Sequence, residues 1–468
     1  MSQAVALPAR SFSTYDASRS DEFIRFIATL LRHSFFLADS FSSSALGTMQ
    51  TLDALVLEHV QSPASSKLRT LVPSIGRIHM PLVCAEAFAT YDLKYRLTAR
   101  TQVPPSEEEV RHLLNLAQVF ASAVGLEFIS FDGDDTLYAD GRNFAQSDAS
   151  KLARYIVALL KNGVAVALVT AAGYKGAPEK YEARLDGLLK HFTAEALPAE
   201  ALAKFYVVGG ECNYLFECEC VGEERSAEDG RGTVRLREVV GSWCDEHAAW
   251  ADEDVGRVLD TAEASLRATA AELSLRCRVI RKERAVGIIA GGSEAKSRVP
   301  EGSGSRRMRR ELLDEAALRL QTAVGQLGLN VPFCCFNGGA DVWCDIGNKA
   351  FGIGALQQRL HVVPSQCLHV GDQFSTSIGN DFAARMASPT LWVAGPKETQ
   401  HVLKQLLERR GVSTKTSEPK AWPPSTKRFL VFSDPLKLED GDRVEGEPSP
   451  GKRDGQGEGD GVPDWVRG

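Results

Sequence analysis

The chain has 468 residues, 44% hydrophobic and 25% charged, enough for roughly two or three domains around a sizeable core. Its formal net charge of -7, from 54 Lys and Arg against 61 Asp and Glu, argues against a protein that neutralises a nucleic-acid backbone. No apolar run reaches about eighteen residues and the N-terminus lacks the order of a secretory signal, so neither a membrane span nor a secreted product is expected. The ten cysteines lie irregularly, which predicts free thiols in a reducing compartment, the cytoplasm. Cys212, Cys218 and Cys220 form a local cluster without the paired knuckles of a structural zinc site. The Ser-rich first twenty residues carry Arg10 and Arg19 as a transit peptide would, but Asp16 and the missing amphipathic pattern weigh against that reading.

In chain order, Ser20 and Asp21 suit a helix start before Phe23, Ile24, Ile27, Leu30 and Leu31, which recur at helical spacing. Ser106 and Glu109 form a second start, a capping-box pattern leading into Val110, Leu113 and Leu114. Residues 1–110 therefore read as a helical N-terminal region. Phe128, Ile129 and Phe131 then predict a short strand that ends in Asp132-Gly133-Asp134-Asp135-Thr136. A helix carrying Leu152, Ile156 and Leu159 stops at Asn162-Gly163, and a strand follows from Val164 to Val169. Strand, helix and strand with short joints indicate a parallel α/β sheet whose ligands gather beyond the carboxyl ends of the strands. A third strand begins at Phe205.

The segment 221–334 reads as an inserted, smaller α/β domain with a strand from Arg276 to Ile289 and polar stretches at Gly222–Gly232 and Gly291–Gly304. Its Arg306, Arg307, Arg309 and Arg310 suit a solvated helix face better than a binding patch. Parallel-sheet character is expected again at Phe333–Asp345, Leu368–Asp372 and Thr390–Val393. The core is thus expected at 111–220 and 335–415. The tail 440–468, rich in Gly, Pro and charge, predicts disorder.

Asp132-x-Asp134 alone suits any acidic turn. It gains meaning from its order with Thr170 at a strand end, Lys349 at a helix start, and Asp372 with Asn380-Asp381 after another strand. No Gly-x-x-x-x-Gly-Lys-Ser/Thr segment is present, which disfavours a P-loop hydrolase. The ordered set resembles the four motifs of haloacid dehalogenase phosphatases. A closer likeness lies in Phe131 to Tyr138, Val169 to Tyr174, Gly209 to Phe216, Arg281 to Gly287, Phe336 to Gly339 and His369 to Phe374, which resemble the IMP-specific 5'-nucleotidase family over roughly residues 15 to 410.

The resemblance implies a haloacid-dehalogenase-like Rossmannoid core with an inserted α/β cap. It implies hydrolysis of IMP through an aspartyl phosphate, with Asp132 as nucleophile and Asp134 as general acid and then base. A phosphate ester repels a carboxylate nucleophile, so a hard divalent cation is expected; Mg²⁺ suits Asp132, the Asp134 backbone carbonyl and Asp372. Thr170 and Lys349 are expected on the phosphoryl oxygens, with Asn380 and Asp381 around the metal ligands. The resemblance further implies that Asp140 touches substrate, although an ordinary turn aspartate fits there equally. Arg281, Lys282 and Arg284 either face substrate or make a charged strand edge. ATP activation, with His112 at the effector site, and a homo-oligomer, a homotetramer, are implied in the same way. Two other readings stay open: a sugar-phosphate phosphatase or phosphomutase, and a catalytically silent nucleotide-binding regulator.

Overall fold

The structure is a computed structural model and describes residues 21–413 except 39, 145–148, 222–232, 242, 246–248, 292–307 and 376–378. The predicted tail, the first twenty residues and almost all of both polar stretches lie outside the described residues.

Five helices form the N-terminal layer: α1 (Glu22–Leu37), α2 (Phe41–Gln61), α3 (Lys67–Leu71), α4 (Cys84–Tyr95) and α5 (Glu107–Ser122). The Asp21 side chain caps α1 by accepting from Ile24 N at 3.0 Å. At the start of α5 the Ser106–Glu109 capping box closes in both directions. Ile27, Leu31, Leu52, Val56, Phe88 and Leu113 are buried in one apolar cluster that also takes in Phe374 and Trp392 from the far end of the chain. Each such side chain contributes about 1.5–3 kcal/mol on burial, so the layer is fused to the rest of the fold. Helix α5 extends past the expected boundary at 110 and lies against the sheet as well as the helices. Its buried face carries Arg111, Asn115 and Gln118, which sequence periodicity does not distinguish from a solvated face.

The main sheet is built from β1 (Phe128–Phe131), α6 (Ala149–Lys161), β2 (Ala165–Val169), α7 (Pro178–Ala194), α8 (Ala199–Leu202), β3 (Phe205–Gly209), β4 (Tyr214–Val221) and β5 (Thr233–Glu238). The chain returns to it through α11 (Lys349–Leu360), β10 (Cys367–Gly371), β11 (Thr390–Trp392) and α12 (Pro396–Arg409). Strand order is β11-β10-β1-β2-β3-β4-β5, parallel from β11 to β3 and antiparallel beyond. Strands β1, β2, β3 and β10 are buried along their whole length, which is why they read as continuous apolar runs. Between β1 and β10 the order reverses, and a ligand cleft is expected beyond their carboxyl ends.

The inserted unit contains α9 (Asp252–Glu272), β6 (Cys277–Arg281), β7 (Ala285–Ala290), α10 (Arg310–Gly325), β8 (Phe333–Asn337) and β9 (Asp341–Ile346). Its strands form a separate antiparallel sheet in the order β6-β7-β9-β8, with α9 and α10 on one face. Three expectations are corrected here. The strand predicted from Arg276 to Ile289 is a hairpin turning at 282–284. The Phe333–Asp345 run does not rejoin the parallel sheet but forms the β8–β9 hairpin of the inserted sheet. Both faces of β9 are covered, so its composition mimics a parallel core strand. Strand β5, expected in the inserted domain, pairs with β4 at the edge of the main sheet.

Candidate active site

Strand β1 delivers Asp132 to the cleft beside β10, with Asp132 N donating to Val370 O at 2.8 Å. The chain then coils tightly. A Cβ on Gly133 would lie 2.5 Å from the Tyr138 hydroxyl, so only glycine lets the two acidic residues stand this close to Tyr138. Asp135 adopts φ 50° and its Oδ1 accepts from Asp140 N at 3.0 Å, which folds Asp140 back towards the cleft. Asp134 Oδ1 accepts from Gly141 N at 3.2 Å and from Arg184 Nη1 of α7 at 3.1 Å. Arg184 also lies over the Tyr138 ring, 5.7 Å from its centroid.

Lys349 opens α11, whose Asn348 cap accepts from Phe351 N at 2.9 Å. Its side chain is fully buried, with Nζ 2.7 Å from Asp132 Oδ1 and 2.5 Å from Asp381 Oδ1. Burial opposes the charge on Lys349, but Asp132 and Asp381 outweigh it and hold the ammonium well above the usual lysine range. Asp381 also takes His369 Nε2 at 3.0 Å and Gln373 N at 2.8 Å, and Ser130 Oγ sits 2.9 Å from His369 Nδ1. Burial would raise the Asp381 carboxyl, yet Lys349 and His369 bring it below the ordinary carboxylate range. Asp132 behaves oppositely: burial, Asp381 and Asp134 push it up to about 7 against the pull of Lys349. Burial likewise raises Asp372, reinforced by Asp132 and Asp381, and lifts Glu211 to about 7. Asn380 Nδ2 donates to Glu211 Oε1 at 3.1 Å.

Among the described residues, Asp132, Asp372 and Asp381 place carboxylate oxygens within 4.8 Å of one another. One lysine does not balance three carboxylates. Asp372 Oδ1 is shielded from solvent and accepts no hydrogen bond from any described residue. Such an oxygen is costly unless it meets a cation or ordered water. The hard oxygen donors fit Mg²⁺. Asp381 is already engaged by Lys349, His369 and a backbone amide, so the ligand set that fits is Asp132 and Asp372. Asp134 Oδ1 is held by Arg184 and Gly141 N, and the backbone carbonyl is the Asp134 oxygen expected at such a contact.

These groups open on a cavity of 1240 Å³ with three walls. The main sheet supplies Thr170 and Asp140, the inserted unit Lys282, Arg284 and Trp343, and the helical layer Arg111. Arg281, expected beside Lys282 and Arg284, instead binds Asp260 at 2.7 Å and Glu263 at 3.0 Å on the inserted unit's outer side. His112 lies away from the cavity lining, 3.2 Å from Glu398 and 3.4 Å from the Tyr91 hydroxyl. Arg184, Trp343 and Trp392 reach the cavity without having been singled out from the sequence. Arg184 looks there like any charged helix residue.

A family profile described as IMP-specific 5'-nucleotidase matches residues 13–403. The chain belongs to the IMP-specific 5'-nucleotidase family. Its Plasmodium falciparum relative, IMP-specific 5'-nucleotidase 1, is 34% identical over 397 residues, 85% of each chain. The Eremothecium gossypii relative of the same name is 38% identical over 424 residues, 84% of this chain and 95% of its own. An IMP-bound mutant of Plasmodium falciparum IMP-nucleotidase superposes with a TM-score of 0.71 at 33% identity, covering 85% of this chain and 97% of that one. The ATP-bound form of that nucleotidase gives 0.69 at 34% identity, with 84% and 86% covered. The family match therefore spans the helical layer and the inserted unit as well as the catalytic sheet.

Proposed function

We propose that this chain hydrolyses IMP to inosine and phosphate by two transfers through an aspartyl phosphate on Asp132. The observation that carries the reading is Asp132 held 2.7 Å from a buried lysine at the end of a central parallel strand, in a chain of this family. In the first transfer an Asp132 oxygen bonds to phosphorus as the bond to the ribose 5' oxygen breaks. That oxygen keeps the electron pair and takes a proton from Asp134. In the second, Asp134 takes a proton from water, the water oxygen bonds to phosphorus, and the Asp132–phosphorus bond breaks. Arg184 and Gly141 hold one Asp134 oxygen and leave the other for the proton.

Lys349 stands where negative charge accumulates, and Thr170 offers donors to the phosphoryl oxygens. Asp140 on the cavity wall is assigned to substrate. Mg²⁺, held by Asp132, Asp372 and the Asp134 carbonyl with Asn380 and Asp381 around them, would neutralise phosphate charge when bound. We assign ATP as an activator acting near His112; the ATP-bound relative supports ATP binding. We assign a homotetramer as the assembly, and Phe36, Leu37 and Leu93 on the helical layer are exposed apolar side chains that a second copy would cover. No helix among the described residues is long and apolar enough to cross a membrane. A cytoplasmic site is supported by ten unpaired thiols.

The test is phosphate release from IMP, AMP, GMP and mannose 6-phosphate, with and without Mg²⁺, by the native protein and Asp132→Asn. Selective IMP turnover is expected, lost at least about a thousand-fold in the variant, as for removal of other catalytic nucleophiles. Comparable rates on all four esters would refute the substrate assignment. Transfer to a second sugar phosphate would indicate a mutase, and silence on every substrate with or without ATP a regulator. ATP should raise the IMP rate, and His112→Ala should blunt that rise without abolishing basal turnover; an undiminished response would remove His112 from the effector site.

A further inference from the structure

Helix α5 turns Arg111, Asn115, Gln118 and Ser122 into the interior, and the first two of them end on the same residue of β11. Asn115 Nδ2 donates to Trp392 O at 2.6 Å, while Asn115 Oδ1 accepts from Trp392 N at 3.1 Å. Arg111 Nη1 donates to the same carbonyl at 2.5 Å and to Glu398 Oε1 at 2.7 Å. Buried polar groups are retained at a cost unless each is paired, and both groups of Asn115 and one Arg111 N–H are spent on the backbone of Trp392. Trp392 stands opposite Gly371 in the β10–β11 register, and Val393 N donates to Gly371 O at 2.9 Å. Its indole Nε1–H donates to the backbone carbonyl of Asp372 at 2.7 Å. The ring is buried with Phe374, centroids 6.3 Å apart. An unbroken run of hydrogen bonds therefore leads from the N-terminal layer to the residue that carries the unpartnered carboxylate oxygen.

We propose that Trp392 is a positioning residue that transmits the placement of α5 to Asp372 and so sets the affinity of the site for its divalent cation. The proposal rests on Asp372 being a metal ligand in the reaction described above. Asp372 Oδ1 has no partner among the described residues, so its direction depends on its own backbone, and the indole grips that backbone by its carbonyl. The carboxylate is thereby aimed before the cation arrives, and less conformational freedom is lost on binding. His112 borders the far end of the same run, with Nε2 3.1 Å from Arg111 Nη2 and 3.2 Å from Glu398.

The test uses Mn²⁺ as probe, titrated into full-length protein and followed by the electron paramagnetic resonance of the free ion, with thermal midpoints measured in parallel. Trp392→Phe removes the indole N–H and keeps an aromatic ring against Phe374. It should weaken Mn²⁺ binding by about ten-fold or more, the usual effect of losing a group that orients a metal ligand, with little change in midpoint. Asn115→Ala, which acts on Trp392 from α5, should weaken Mn²⁺ in the same direction, and the double variant should bind no worse than the weaker single one. Unchanged Mn²⁺ affinity in Trp392→Phe, additive losses in the double variant, or a native protein that binds no Mn²⁺ would overturn the proposal. A native protein that binds Mn²⁺ in a Trp392-dependent manner yet releases no phosphate from IMP would refute the proposed function and leave this inference standing.

Discussion

Lys349 shows how much one buried charge decides. Among the described residues it is the only cation directly paired with Asp132, and neither Lys349 nor Asp381 is exposed to solvent. Lys349→Met keeps the volume and removes the charge, leaving two carboxylates without their partner. Breaking a buried pair in this way costs about 3–5 kcal/mol. A clearly lower urea midpoint is therefore expected, partly restored by Mg²⁺; a midpoint equal to that of the native protein would show that the lysine does not stabilise the cluster. The sequence made Asp132, Asp134, Lys349 and Asp372 legible because each sits at the mouth of a strand or the start of a helix in a fixed order. Arg184 and Trp392 were not legible. An arginine within an amphipathic helix and a tryptophan at a strand end carry no local signal, and only folding brings them to Asp134 and Asp372.

Among the elements, the tight coil after β1 depends on shape as much as on charge. A methyl group at Gly133 would meet the Tyr138 hydroxyl at 2.5 Å and Thr170 Oγ1 at 3.4 Å. Gly133→Ala should therefore cost about 1–3 kcal/mol of stability, the range for overpacking, together with most of the turnover. Adding Tyr138→Phe removes the oxygen that the methyl meets first and should return part of both. Thermal denaturation and IMP turnover of the single and double variants check this; no recovery in the pair would place the strain elsewhere. The parallel strands, the α1 and α5 starts and the Asn162-Gly163 stop could all be read in advance, since each depends on neighbours in sequence. The β8–β9 hairpin could not. A strand covered on one face by α10 and on the other by the cavity wall has the composition of a core strand, and only its partner β7 reveals its sheet.

At the scale of the whole molecule, the site stores an excess of acidic protons. Burial lifts Asp132 and Glu211 to about 7 and Asp341 to about 6, and holds Asp345 and Asp372 well above the usual carboxylate range. Unfolded carboxyls release their protons near pH 4, so over roughly pH 4 to 7 the folded state binds more protons than the unfolded one. Stability then falls as pH rises through that window. Burial holds His79, His191, His369 and His401 below their ordinary value, which acts in the opposite direction, so the net slope is that of five raised carboxyls against four lowered imidazoles. Asp381 is depressed and loses its contribution only below the window, and Lys349 keeps its own past the upper end. The metal-free protein should therefore melt several degrees lower at pH 8 than at pH 5, with a shallower slope in Asp132→Asn. A midpoint that is flat or rises with pH would contradict this sign.

The inserted sheet meets the main one at a short joint between β9 and α11. Strand β9 ends at Ile346, whose carbonyl accepts from Asn213 Nδ2 of the main domain, and Lys349 begins only three residues later. Gly347, at φ 94°, fills the gap so closely that a Cβ would lie 2.1 Å from the Glu211 carbonyl oxygen. The joint is therefore the closely packed point of the connection, beside the buried Lys349–Asp132 pair. With about 3.4 Å per residue, the Asp341 end of β9 is roughly 17 Å from it, so a tilt of about 10° would carry that end through some ~3 Å while the ammonium beside Asp132 stays almost still. The same small rotation thus means a large displacement at the cavity entrance and a small one at Lys349.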